Sequence, residues 1–228
     1  VYAWGSNEHG QLGDGNWNYY HVGYYFNSRW ISGHPNYDRM SPKVVKVNDS
    51  TALTNVIGIA AGGAHALAVT SDGKVYSWGL NDFGQLGIND GRSWSWVDGY
   101  HRDVTVNGYL RTYAQQVVGV YNDGTLKDII AVAAGANHSV ALRKDGAVFT
   151  WGDNSYGQLG NTASGLTGRT VLPVQVAAGE YNPDANYIEQ VTRIAAGDGH
   201  TLALTRFGQI FAWGDNRYGQ LGSAATLN

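Results

Sequence analysis

Three histidines are the residues of this sequence whose type and recurrence could best support chemistry: His65, His138 and His200. Imidazole is a common metal ligand and general base, and three such rings brought together could hold a metal ion. Each histidine, however, occupies the same position in a separate copy of a repeated phrase, and copies of a repeat lie in separate structural units. We therefore interpret them as hydrogen-bonded structural histidines and predict no metal site.

Other patterns of catalytic and cofactor sites do not occur in the sequence, which has no HExxH, no P-loop and no Ser-His-Asp order. The Asn-Asp-Gly stretches that begin at Asn89 and Asn122 could contact calcium, but they lack EF-hand spacing and are better explained as turns. The sequence therefore predicts a protein that is not an enzyme and has no cofactor.

A repeated phrase is the main feature of the chain. It reads VYAWGSNEHGQLG from Val1 and returns in modified form from Val75, Val148 and Ile210. An active site has little reason to occur four times in separate units, so we interpret the phrase as scaffold and its tryptophans as a packing ladder. These structural repeat tryptophans are Trp4, Trp78, Trp151 and Trp213.

The segment before each of the last three copies has the pattern of a β-hairpin. In the first hairpin, His65, Leu67 and Val69 point to one face of a strand, while Ala66 and Ala68 point to the other. One face is therefore bulky and the other small. We expect the bulky face of each sheet to pack against the small face of the next.

Turns and a fourth strand complete each unit. The hairpin turn reads Asp-Gly in two copies, which suits a tight turn, and the third copy replaces the acid with Phe207. The side-chain-poor Ala-Ala-Gly segments suggest inner strands that converge on an axis. Four strands in each unit are typical of propeller blades. The fourth strands are predicted to begin at Ser41, Ala114 and Leu172.

Two polar residues recur in the loop after each tryptophan strand. The asparagine is predicted to bond the backbone of its own turn, and the glutamine to tie adjacent loops. The asparagines are Asn7, Asn81, Asn154 and Asn216, and the glutamines are Gln11, Gln85, Gln158 and Gln220.

The phrases AAGxxHxLAL, DGxVYxWG and GxNxxGQLG resemble the repeat of the regulator of chromosome condensation family. The resemblance implies a β-propeller. Members of that family include a nucleotide exchange factor for a small GTPase, a plant ultraviolet photoreceptor, ubiquitin ligase accessory domains and a secreted bacterial β-lactamase inhibitor. The resemblance therefore selects no single activity. The GWRHT-like segments of the photoreceptor correspond here to GGAHA, GANHS and GDGHT, which lack the tryptophan.

The predicted fold class is all-β: a β-propeller, or an open propeller-like stack, of four-stranded antiparallel blades. Two complete blades lie between two partial ones, so we expect further blades in a longer polypeptide or completion by another chain. The chain is predicted to be a single repeat domain, 1–228. Its repeat cores are 1–13, 56–87, 129–160 and 191–222, its aromatic insertion loops are 14–41 and 88–113, and a shorter insertion is 177–190.

The aromatic insertions are the predicted binding surface, because long loops on a rigid repeat commonly carry function. Tyrosine and tryptophan suit protein interfaces and stacking on sugar rings. Alternatively, these aromatic side chains form a small core of their own that holds the loops down. The predicted binding residues are Trp17, Tyr19, Tyr20, Tyr24, Tyr25, Trp30, Trp94, Trp96, Tyr100 and Tyr109.

Charge and composition limit the classes of partner. A formal net charge of -3 with 15 lysines and arginines argues against nucleic acid. No apolar run approaches the roughly 20 residues of a membrane helix. The absence of cysteine, the few lysines and the abundance of Asn, Gly, Thr and Tyr suggest an extracellular or cell-surface location, with the cytoplasm left open.

The predicted function is a non-enzymatic module that mediates protein–protein interaction or self-assembly within a larger extracellular bacterial protein or assembly. Its partner would be a protein or further copies of the chain. Two alternatives remain: a carbohydrate-binding surface module, with a glycan as partner, and an intracellular regulator resembling a small-GTPase exchange factor.

Overall fold

The computed structural model describes residues 1–16, 25–26, 29–30, 39–89, 95–97, 100–102, 110–161, 168–179 and 185–222. Apart from a three-residue 3₁₀ helix at Val120–Asn122, the regular structure in these ranges consists of strands. No helix within them is long and apolar enough to cross a membrane.

Seventeen strands are found in these ranges. They are β1 (Tyr2–Gly5), β2 (Tyr25–Phe26), β3 (Arg29–Trp30), β4 (Arg39–Val44), β5 (Val56–Ala61), β6 (His65–Thr70), β7 (Val75–Leu80), β8 (Ser95–Val97), β9 (Tyr100–Arg102), β10 (Leu110–Gln116), β11 (Ile129–Ala134), β12 (His138–Arg143), β13 (Val148–Asn154), β14 (Gly168–Gln175), β15 (Val191–Ala196), β16 (His200–Thr205) and β17 (Ile210–Gly214).

Four antiparallel sheets form successive blades that do not close into a ring. Blade 1 holds β1 and β4, and blade 2 holds β5, β6, β7 and β10 in spatial order. Blade 3 holds β11 to β14, and blade 4 holds β15 to β17. The prediction of two complete blades between two partial ones is confirmed. Two short hairpins, β2 with β3 and β8 with β9, lie in the aromatic insertions.

The outer strands begin earlier than predicted. β4, β10 and β14 start two to four residues before the predicted positions and stop where the chain turns into isolated bridges such as Lys46 to Ala52. Each outer strand also shifts register opposite the tryptophan strand. Pro42 and Pro173 lie in these irregular outer strands, where a missing N–H is tolerated.

Hydrophobic clusters between consecutive blades confirm that the bulky residues of one middle strand pack on the small residues of the next, although the aromatic residues of the tryptophan strand share that face. Between blades 2 and 3, Leu67 and Val69 pack with Ala141, Phe149 and Trp151. These side chains are almost fully buried, so the clusters between sheets are the core of the domain. The equivalent cluster between blades 3 and 4 contains Val140, Leu142, Val148, Ala203, Phe211 and Trp213.

The inner strands β5, β11 and β15 lie close together, as the Ala-Ala-Gly segments predicted. A Cβ atom on Gly62 would be 2.5 Å from the carbonyl oxygen of Gly135. A Cβ atom on Gly135 would likewise be 2.6 Å from the carbonyl oxygen of Gly197. Because real Cβ atoms do not approach oxygen so closely, these glycines allow the blades to converge.

The connections emerge at two opposite edges of the blades. We call the first the GQLG edge: it carries the turns at 62–64, 135–137 and 197–199 and the loops that end in Gly-Gln-Leu-Gly. We call the second the turn edge: it carries the hairpin turns at 71–74, 144–147 and 206–209. Since strand direction alternates, the two aromatic insertions leave from the GQLG edge, whereas the shorter insertion leaves from the turn edge.

Candidate functional site

The loops of the GQLG edge are held by the same internal hydrogen bonds in each blade. In blade 2, the Leu86 amide donates to Asn81 Oδ1 at 3.0 Å, and the Phe83 amide donates to Gln85 Oε1 at 2.9 Å. Blades 1, 3 and 4 repeat both bonds. The prediction that the asparagine bonds its own turn is confirmed, and the loops are rigid platforms.

The glutamine side chain, in contrast, does not tie adjacent loops as predicted, because it bonds within its own loop. Its main-chain carbonyl makes the link instead. Trp78 Nε1 donates to the Gln11 oxygen at 2.8 Å, and Trp151 Nε1 donates to the Gln85 oxygen at 2.8 Å. Trp213 repeats this bond to the next glutamine. The tryptophan ladder therefore joins each blade to the one before it.

His65 and His138 are structural, as predicted, and each reaches a hydroxyl of the next blade. His65 Nε2 lies 3.0 Å from Ser139 Oγ, whose proton is donated to the Gln85 carbonyl at 2.7 Å. His138 pairs in the same way with Thr201. Since the hydroxyl proton is already used, the imidazole must donate from Nε2, which fixes the neutral tautomer.

Burial keeps these imidazoles uncharged. Desolvation, helped by the charge of neighbouring His138, lowers the pKa of His65 from 6.5 to about 3. Desolvation also lowers the pKa of His138 to about 4, against a weaker opposite effect of Asp153. Within the described ranges, no group of three or more His, Asp or Glu residues is placed to hold a metal ion. The recurring polar residues therefore build the scaffold.

The exposed residues of the GQLG edge differ from blade to blade. His9, Phe83, Tyr156 and Tyr218 occupy one equivalent loop position, and the two tyrosines expose 46% and 89% of their surface. Arg217 lies over the Tyr156 ring at 4.5 Å and pairs with the Asp215 carboxylate at 2.9 Å. Hydrogen bonds from Arg217 lower the pKa of Asp215. The Arg217 guanidinium is thus held by a carboxylate and by one exposed phenol ring, and Tyr218 follows it in the chain.

A second polar contact spans blades 2 and 3 at this edge. Arg169 Nη1 donates to the Asp82 carbonyl at 2.9 Å. Burial raises the pKa of the Asp82 carboxyl, while the charges of His9 and Arg169 act in the opposite direction. The bond from Arg169 therefore connects blades 2 and 3 across the edge.

Four of the predicted binding residues of the insertions lie in the two short hairpins. Tyr25 and Trp30 are paired across β2 and β3, and Trp96 and Tyr100 lie in β8 and β9. Their role as a binding surface stays a prediction. The remaining six fall outside the described residues: Trp17, Tyr19, Tyr20, Tyr24, Trp94 and Tyr109.

Sequence reasoning missed Tyr156, Arg217 and Tyr218, because they lie inside a phrase that was interpreted as scaffold. A signal was present in the two positions between the recurring asparagine and the Gly-Gln-Leu-Gly sequence: the first differs in every copy, and the second is His, Phe, Tyr and Tyr in turn. Variable positions inside a rigid repeat are where a surface can be specialised.

Comparisons with known proteins match this arrangement over the whole chain. The model of the RCC1-like domain family matches residues 1–228. The human probable E3 ubiquitin-protein ligase HERC6 is 34% identical over 226 residues, which are 99% of this chain and 17% of that protein. The Arabidopsis thaliana ultraviolet-B receptor UVR8 is 30% identical, over all of this chain and 52% of that protein.

A solved structure agrees with the fold. The crystal structure of Prp20p from Saccharomyces cerevisiae superimposes with a TM-score of 0.66 at 23% identity, covering 99% of this chain and 43% of that one. The chain thus spans about half or less of the proteins that it resembles. By its repeats, its blades and the family model that covers it throughout, the chain belongs to the RCC1-like domain family.

Proposed function

We propose that this domain is a non-catalytic protein-binding module of a larger regulatory protein and that it contacts its partner through the GQLG edge. The observation that carries the proposal is the cluster of Tyr156, Arg217 and Tyr218 on loops fixed by internal hydrogen bonds. Tyrosine and arginine are enriched among the residues that dominate binding energy at interfaces. Rigid aromatic side chains also lose little conformational entropy on binding.

The matched relatives support the regulator alternative better than an extracellular bacterial assembly. HERC6 is named a probable ubiquitin-protein ligase and UVR8 a receptor. The structure of Prp20p was described together with its binding to Gsp1p and histones. These names favour a protein partner over a glycan. The extracellular location stays a prediction.

Site-specific photocrosslinking tests the proposed edge. A benzoylphenylalanine at position 218 should crosslink a discrete protein in cells, whereas the same probe at position 123, on the turn edge, should not trap that protein. Arg217→Ala and Tyr156→Ala should each lower the yield at least about tenfold if these residues carry binding energy. Crosslinking of that protein from position 123 only, or yields unchanged by both substitutions, would refute the proposal.

The exchange-factor version of the regulator has a separate assay. The purified chain is mixed with Gsp1p loaded with a fluorescent nucleotide, and the release rate is measured. Accelerated release that falls on charge substitution of Asp82 would support this version. A rate equal to that of the GTPase alone would leave protein binding without exchange as the function.

A further inference from the structure

The turn edge neutralises most of its own charges. In blade 2, Lys74 pairs with Asp72 at 2.6 Å. In blade 3, Arg143 pairs with Asp145 at 2.8 Å, and Lys144 pairs with Asp128 at 2.7 Å. The acids that do this belong to the hairpin turn or to the residue before the inner strand.

Blade 4 has the same main-chain hydrogen bond at this edge, but it lacks the acidic side chains. The Arg206 amide donates to the Gln190 carbonyl at 2.9 Å, as the Lys144 amide donates to the Asp128 carbonyl. By this equivalence Gln190 stands in the place of Asp128. Phe207 likewise stands in the place of the turn acid Asp145.

Arg206 consequently has no carboxylate partner within the part of the chain that the structure describes. Its guanidinium carbon lies 4.8 Å from the centre of the Phe207 ring, and that ring is 68% exposed. A cation held over an aromatic face keeps its hydrogen-bond donors available to an incoming acceptor.

A cavity of about 200 Å³ lies beside this pair. Its lining includes Tyr187, Ile188, Phe207 and Phe211, and Tyr187 is 41% exposed. The lining also includes the exposed Glu189 and uncharged polar side chains. Arg206 is not part of the lining, but its guanidinium lies over the ring of the lining residue Phe207.

We propose that this end of blade 4 binds an extended protein segment that carries one carboxylate beside a large apolar side chain. The carboxylate pairs with Arg206 and replaces the acids that blades 2 and 3 supply internally. The apolar side chain enters the cavity against Phe207 and Tyr187. Glu189 disfavours a second acid in the same segment through like-charge repulsion. This surface lies opposite the GQLG edge and is independent of the function proposed there.

The expected binding is weak and mainly apolar. An exposed ion pair contributes only about 0 to 1 kcal/mol. The carboxylate therefore contributes more to the specificity of binding than to its affinity. Burial of the apolar side chain supplies most of the affinity.

A displayed library of random dodecapeptides, panned on the purified chain, tests the proposal. Enriched peptides should carry one Asp or Glu within two residues of Phe, Leu or Ile. The best peptide is then synthesised with a fluorescent label and titrated by anisotropy. Phe207→Asp, which restores the turn acid of blades 2 and 3, should weaken binding at least about tenfold, because it removes apolar surface and also neutralises Arg206. Arg206→Gln, which removes only an exposed ion pair, should weaken binding by about two- to fivefold.

Two matched variants separate this surface from others. Lys144→Gln changes the equivalent residue of blade 3, and Arg217→Ala changes the GQLG edge, so both should bind the peptide unchanged. Thermal unfolding of each variant shows that the fold persists. The proposal is overturned if enriched peptides lack an acid, if the library gives no enrichment over the Phe207→Asp chain, or if both blade 4 variants bind normally.

Discussion

The junction between blades 2 and 3 and the junction between blades 1 and 2 contain equivalent tryptophan hydrogen bonds, but they differ in the other polar groups around the acceptor carbonyl. At the first, the Gln85 carbonyl accepts bonds from Trp151 and Ser139, and Ser139 also accepts from His65. At the second, the Gln11 carbonyl accepts from Trp78, and Ala66 stands in the place of Ser139. Both junctions therefore contain the tryptophan hydrogen bond. Of the two, only the junction between blades 2 and 3 also contains the hydroxyl and the histidine.

Removing the buried tryptophan of a junction should lower the free energy of unfolding more than removing its hydroxyl or its histidine. Trp151 is fully buried between blades, and Trp4, its equivalent in blade 1, is 63% exposed. Trp151→Ala should cost about 3 to 5 kcal/mol because it leaves a cavity and removes one of the two hydrogen bonds that the Gln85 carbonyl accepts. Trp4→Ala should cost less than about 1 kcal/mol. Urea unfolding measures both, and equal losses would show that the ladder does not carry the stacking.

Lowering the pH should weaken the junctions that contain histidine. His65 and His138 have folded pKa values of about 3 and about 4, below the ordinary value of 6.5. From about pH 6.5 down to 4 the unfolded chain binds protons that the folded chain does not. Stability should therefore fall with decreasing pH by up to about 1.4 kcal/mol per pH unit for each histidine.

Urea midpoints at pH 7.5, 5.5 and 4.5 measure this dependence. Replacing His138 with Gln should reduce the slope by about half, because His65 remains. A slope that does not change in the variant would assign the pH dependence to other groups and remove the histidines from the explanation.

Deleting the hydroxyl should make the junction between blades 2 and 3 resemble the junction between blades 1 and 2, at smaller cost than the loss of the tryptophan. Ser139→Ala leaves the His65 Nε2 proton without an acceptor in a buried site. Such an unpaired donor costs about 1 to 3 kcal/mol. The same substitution at an exposed serine, Ser71→Ala, serves as control. A loss no larger than that of the control would contradict the hydrogen-bond chain.

The difference between the junctions was only partly accessible from the sequence. Alternating residue size predicted which faces pack, and the recurring phrases predicted how many strands each blade has, because both depend on local periodicity. The partner of His65 could not be predicted, since Ser139 lies 74 residues away and the contact depends on how the sheets stack.

The prediction for the glutamine was wrong, and the cause is physical. A side chain that recurs suggests a side-chain contact, yet the link between blades comes from a main-chain carbonyl that every residue possesses. Similarly, Arg217 and Tyr218 were hidden inside a phrase whose other positions are structural. The exposure of a loop position depends on its contacts with the neighbouring blade, and the residue type at that position does not reveal those contacts.

Adding the missing hydroxyl should produce the smallest change and the sharpest comparison. Ala66 is half-buried and borders a cavity of about 430 Å³ beside β1, so a serine oxygen has room there. In Ala66→Ser the hydroxyl should donate to the Gln11 carbonyl, as Ser139 donates to Gln85. A net gain of about 0.5 to 1.5 kcal/mol is expected for one hydrogen bond. Ala66→Val, which adds bulk without a donor, is the control. If serine stabilises the chain no more than valine does, the bond between hydroxyl and carbonyl depends on a histidine that bonds the same hydroxyl. The hydroxyl and the histidine would then act as one unit of the junction.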